Sequence, residues 1–266
     1  MARHPSIFPA PVAAAVLDMP GLCLASILAW AALVLAGGYD GLWILVTLTV
    51  FSAVAFLIGA LVSAIPHPAR LITRVDGAAA GAMLAAALVL VVPHALIEHA
   101  GAGALGLLLG LGVGLALQIT ASGRGGRAML GALTLHSICD GVVLGALYTL
   151  IPALGWGAGL AILAHKAPAG YALARRLARS RSRRILVVLP ALGTGLGALC
   201  TAMMPAVVAL PAGLIFGAAA GLFLFVALAF FASSARAGSL DAVDWLAFAL
   251  GGAVIALVGW IAPHGI

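Results

Sequence analysis

The chain has 266 residues, 65% of them hydrophobic and 8% charged, with a formal net charge of +6 and a mean hydropathy of +1.25. So little polar surface cannot cover a soluble domain of this size, which leaves a polytopic membrane protein. The apolar runs continue for about twenty residues instead of alternating over ten, so the expected class is an all-α transmembrane bundle and not a barrel.

Residues Met1–Pro20 carry Arg3 and His4, then apolar positions interrupted by Pro9, Pro11 and Asp18. Lacking a small-residue cleavage signature, this stretch reads as a cytoplasmic lead-in and not a removed signal peptide. Nine spans follow, over 20–37, 43–65, 77–98, 102–120, 128–150, 153–174, 185–204, 206–233 and 243–262. They form one membrane domain over 1–266, with 1–42 as lead-in and first helix and 43–262 as the core. Short connections such as Tyr39-Asp40 and Gly101-Ala102-Gly103 imply antiparallel neighbours. The 34 Gly suit helices that approach closely in lipid.

Every Arg falls outside the spans: Arg3 precedes the first, and Arg70 with Arg74, Arg124 with Arg127, the run Arg175–Arg184, and Arg236 occupy alternate connections. Basic loops stay on the cytoplasmic side, which puts the N-terminus inside and the C-terminus, with His264, outside. The positive charge therefore sets orientation, and no nucleic-acid partner is expected. Composition is compatible with a bacterial cytoplasmic membrane, membrane lipid is an expected partner, and a homodimer is allowed. No Gly-Lys-Ser/Thr phosphate loop occurs, so nucleotide-driven chemistry is not expected. Cys23, Cys139 and Cys200 lie in apolar segments and read as small core residues, not as a disulfide framework.

Two polar insertions break this pattern: His136-Ser137-Ile138-Cys139-Asp140-Gly141 on the fifth span and His165-Lys166-Ala167-Pro168-Ala169-Gly170 on the sixth. A charged group at bilayer depth costs roughly 2.5–3.5 kcal/mol on insertion scales, and such groups mark pathways or pairs. His136 and Asp140 are four residues apart, on one helical face, where an imidazole nitrogen and a carboxylate oxygen can reach one ion. His165 lies at a matching depth on the antiparallel neighbour. Pro168 removes one helical hydrogen bond and displaces the Ala164 carbonyl beside His165. Gly141 and Gly145 form a small-xxx-small pair that lets another helix approach. The chemistry these residues suit is the holding of a first-row divalent cation.

The two segments resemble the signature helices of the ZIP (Zrt/Irt-like) divalent-metal transporter family. Its patterns are His-Asn/Ser-x-x-Asp/Glu-Gly on one core helix and His-Glu-x-Pro-x-Glu on the next. The resemblance implies an eight-helix core plus one N-terminal helix, with pseudosymmetric halves around the two motif helices. It carries over His136, Ser137, Asp140 and His165 as metal positions and adds Met83, from Gly81-Ala82-Met83-Leu84-Ala85-Ala86. His94, Glu98 and His99, after Pro93, stand where the family gathers incoming cations. Lys166, Ala169 and Thr194 replace family carboxylates, so one transport metal is expected and not two. Lys166 is also expected to pair with Asp140 when the site is empty.

The function implied is zinc uptake into the cytoplasm through one mid-membrane site, with Fe²⁺, Mn²⁺ or Cd²⁺ as other cargoes and no catalytic cofactor. Protons compete with metal for imidazole nitrogen, so uptake should fall below about pH 6. The alternatives are a non-transporting scaffold or sensor and an intramembrane metal-dependent hydrolase. The hydrolase lacks a spare carboxylate as base, and no enzyme activity is expected.

Overall fold

Apolar stretches without water can satisfy their backbone groups internally only as helices or closed barrels. In the computed structural model every regular element among the described residues is a helix. The structure describes residues 20–66, 68–122, 126–177, 185–204, 210–236, 238 and 240–265. The lead-in, Arg3, Arg124, and the arginines from Arg179 to Arg184 lie outside them. The helices are α1 (Pro20–Tyr39), α2 (Trp43–Val62), α3 (Ala69–Ala85), α4 (Val92–Ser122), α5 (Gly126–Leu150), α6 (Pro152–Leu177), α7 (Val188–Ala202), α8 (Ala212–Arg236) and α9 (Ala242–Gly265).

The local signals explain the breaks. Gly41, at φ 79°, ends α1 in a left-handed turn that returns the Leu42 N–H to the Gly37 carbonyl at 2.8 Å. Between α3 and α4, Ala86–Val91 widens into π-helix, with the Val92 N–H reaching the Ala87 carbonyl. Pro93 follows directly; it has no N–H for the Val89 carbonyl and crowds it, and the preceding turn relaxes into the wider register. Inside α4 the backbone leaves the helix at His99 (φ −167°, ψ 104°). At α9, Asp241 accepts the N–H groups of Val243 and Asp244 at 3.0 and 2.9 Å, while the Asp244 carboxylate accepts the Asp241 N–H at 2.9 Å. This reciprocal cap starts the helix. Arg70 pairs with Asp241, and Arg74 reaches Asp244 at 3.6 Å, fixing the starts of α3 and α9 at one end of the bundle.

Six helical stretches among the described residues are long and apolar enough to cross a membrane: Gly21–Tyr39, Trp43–Val62, Arg70–Ile119, Leu130–Leu150, Ala212–Arg236 and Ala242–Ile261. The sequence leads one to expect nine. The difference has three physical sources. Arg70–Ile119 is one unbroken helical stretch of 50 residues by hydrogen bonding, although the backbone leaves helical angles at His99. The polar His165-Lys166 pair dilutes α6. Helix α7 is apolar but only 15 residues long.

Packing comes in matched sets. The most extensive pairings are α8 on α4, α5 on α7, α9 on α3 and α2 on α6. Exchanging α2 with α7, α3 with α8, α4 with α9 and α5 with α6 maps this set onto itself. Glycines make the close approaches on both sides of the exchange. A Cβ at Gly141 would overlap the Thr194 carbonyl oxygen on α7, and one at Gly170 would overlap the Phe56 carbonyl oxygen on α2. Helices α5 and α6 therefore sit at the centre, each backed by a tightly seated partner. Cys23 is buried, as expected of a core residue, whereas Cys200 is exposed on the outer face of α7.

Candidate metal centre

At the crossing of α5 and α6, the motif side chains turn toward one another. Asp140 is fully buried, His165, Ser137 and Lys166 are each 1% exposed, and the His136 side chain is 13% exposed. Asp140 Oδ2 lies 3.6 Å from His136 Nε2 and 3.1 Å from His165 Nε2. All three ligand atoms fall within 4.8 Å of one another. Tetrahedral zinc with bonds of about 2.0–2.1 Å requires neighbouring ligand atoms about 3.3 Å apart. The two separations to Asp140 bracket that value. The group could hold a metal ion, and the donor set of two imidazoles and one carboxylate suits a first-row divalent cation without choosing among them.

The surroundings orient the ligands. His165 Nδ1 lies 3.4 Å from the Ala161 carbonyl oxygen. A proton held there leaves Nε2 to face Asp140, as in a ligating histidine steered by its other nitrogen. The ring of His136 meets that of His165 edge-on, with centroids 5.7 Å apart. Lys166 closes the back of the site. Its Nζ donates to Asp140 Oδ2 at 2.7 Å and to Ser137 Oγ at 3.2 Å. The buried ammonium and carboxylate neutralise each other, the condition under which two charges survive in a dry interior. Asp140 is unevenly used. Oδ2 meets three groups, while Oδ1 makes no hydrogen bond, and neither does the buried Oγ1 of Thr194.

A cavity of about 690 Å³ reaches this site. His136 and His165 line its inner end, and Arg175 and Arg236 line it ten or more residues away toward the end where α3 and α9 begin. On the opposite side Leu144, Leu147, Ala158 and Ile162 are almost completely buried in the larger apolar cluster. These apolar side chains pack on the two helices between the histidines and the other end of the bundle.

Of the remaining sequence candidates, His94, Glu98 and His99 do not join this group. Met83 is fully buried in the same apolar cluster. His94 Nδ1 donates to the Leu90 carbonyl oxygen at 2.7 Å, and its ring packs edge-on against Phe216. Glu98 is exposed. His99, at the backbone break, accepts the Ala102 N–H on Nδ1 at 3.1 Å and so caps the second part of α4. Among the described residues, His136, Asp140 and His165 are the one group of three or more His, Cys, Asp or Glu side chains whose ligand atoms converge.

One residue escaped sequence reasoning. Asp76 falls one position before the expected third span, but α3 begins at Ala69 and carries Asp76 into the bundle, where it lines the cavity. The available signal was Arg70, Arg74 and Asp76 within two turns of one another, a polar start to a helix and not a loop. Neither family models nor curated proteins yield a match to this sequence.

Proposed function

We propose that this protein is a ZIP-like carrier that moves a divalent cation, zinc first, across a cell membrane through a single site at His136, Asp140 and His165. The observation that carries the reading is the convergence of two imidazoles and a carboxylate, at zinc-like separations, from two adjoining helices in an apolar bundle. Buried ionisable groups of this kind mark ion pathways. A cavity that reaches the histidines from one end, with apolar side chains packed toward the other, suits a carrier caught with one door open. With basic loops cytoplasmic, that door faces inward.

In this mechanism the cation arrives from outside past His94, Glu98 and His99, sheds water, and is held by the three ligands, with Ser137 and Met83 in support. It leaves through the cavity after one set of helices shifts against the other. Inward flux needs no ATP, since a divalent ion crossing 100 mV gains roughly 4.6 kcal/mol, twice the single-charge value. Lys166 limits the site to one ion, because its ammonium occupies the face of Asp140 where a second would sit. The cation must displace that ammonium from Oδ2 or engage the unpartnered Oδ1.

The Lys166–Asp140 pair also favours a second reading, a non-transporting scaffold in which the two charges neutralise each other permanently. Zinc uptake into proteoliposomes separates them. Flux in the parent that is lost in both His136→Ala and Asp140→Ala supports the carrier. A parent that moves no zinc sinks it in favour of the scaffold.

A further inference from the structure

Between the three ligands and the basic mouth, the cavity runs past one carboxylate that the site does not use. Asp76 lines it from α3, together with Gln118 at the end of α4. No hydrogen bond or ion pair joins Asp76 to any described residue, although Arg70 and Arg74 on the same helix are both engaged with Asp241. Asp76 is only partly exposed, and a carboxylate inside an apolar bundle without a partner is costly unless something visits it.

The electrostatics of the cavity say what would visit. Its inner end holds two imidazoles, and Arg175 and Arg236, both exposed, line its outer part. From His165 to Arg175 is ten residues along α6, about 15 Å at helical rise. Asp140 lies behind the histidines and does not line the cavity, so Asp76 is its one acidic lining group among the described residues. A divalent cation released from the histidines must pass the two arginines at the mouth, and Asp76 is the one group of opposite charge on its way. One carboxylate completed by water holds a divalent ion weakly. Conduction requires such a stop, favourable enough to enter and weak enough to leave.

We propose that Asp76 is a second, weaker cation-binding position, a stop on the release path between the three-ligand site and the basic mouth. The inference rests on the carrier reading for its role in release, but the binding position stands or falls by itself. Calorimetric titration of the purified full chain with zinc should give a tight event lost in His136→Ala and a weaker one lost in Asp76→Asn and restored in Asp76→Glu. An Asp76→Asn curve that overlays the parent's overturns the proposal. Diffraction from cadmium-soaked crystals of the parent chain tests it without relying on a variant that folds. An anomalous peak beside the Asp76 carboxylate is expected, and peaks at His136 and His165 alone overturn it. In proteoliposomes Asp76→Asn should lower the maximal zinc flux while leaving half-saturation in place. A parent that moves no zinc yet shows the cadmium peak would sink the carrier and keep the site.

Discussion

Two stretches of this chain carry the same local pattern and come to different ends. His94 and Glu98 are four residues apart, as are His136 and Asp140, and each pair has a further histidine available. In the first, His94 turns to the Leu90 carbonyl, Glu98 faces outward, and His99 caps a helix. In the second, both side chains meet His165 from the neighbouring helix. The four-residue spacing permits a shared ligand but does not select one. Selection comes from a facing helix that supplies a third donor and shuts out water.

The sharpest way to break that contrast is to unbalance the buried charges. Asp140→Ala leaves the Lys166 ammonium buried and unpaired, a loss of about 3–5 kcal/mol, and thermal unfolding in detergent should show the largest drop of any variant named here. Lys166→Met leaves Asp140 without its counter-ion and should also be unstable, but zinc should restore it. Its zinc affinity should rise at least about tenfold, equivalent to about 1.4 kcal/mol, because no ammonium competes for Oδ2. The corresponding changes His94→Ala and Glu98→Ala should leave both stability and zinc affinity nearly as they were.

A smaller effect tests the backing of the site. Gly141→Ala drives a methyl into the Thr194 carbonyl oxygen, and overpacking of this kind costs about 1–3 kcal/mol. The same change at Gly112, where a Cβ meets nothing within 4 Å, should be neutral or slightly stabilising. Zinc binding should weaken in the first variant alone, since Asp140 is the preceding residue.

The smallest effects concern the caps. His99→Ala removes the acceptor for the Ala102 N–H and should cost about 0.5–1 kcal/mol, with His99→Asn restoring most of it. Amide exchange around residues 100–104 reads this directly. Asp241 caps α9 with a carboxylate held below its ordinary pKa, first by the backbone N–H of Asp244 and then by the Arg70 charge and the backbone N–H of Val243. A depressed folded pKa contributes stability above the unfolded value, about 3.9, and loses it as pH falls through the folded one. Exchange at the start of α9 should therefore quicken only in that acidic window, and not at all in Asp241→Asn.

Much of the central site was legible in the sequence. Ionisable residues are so disfavoured at bilayer depth that His136, Asp140, His165 and Lys166 stand out against their background, and helical period puts the first two on one face. The close approach allowed by Gly141 and Gly145 was equally readable. Asp76 was not, because its place depends on where α3 starts, and Arg70 and Arg74 extend that start by pairing with a helix 170 residues away in sequence. The cap made by His99 was hidden too. Whether a histidine near a helix end serves the backbone or a cation depends on a backbone break that composition alone does not reveal.

By itself, the order of residues determined that this chain is an all-helical bundle with segments long and apolar enough to cross a membrane and that its buried charges cluster on two consecutive helices. Hydrophobicity and periodicity are local properties, and both read directly from the chain. Only the tertiary structure decided that Lys166 reaches Asp140 from behind while the cavity reaches the histidines from the front. It also decided that the helices pair in exchangeable sets with no visible repeat in sequence. Those outcomes depend on which faces of distant helices meet, and in a chain this uniformly apolar, many faces are equally greasy until glycine and packing choose between them.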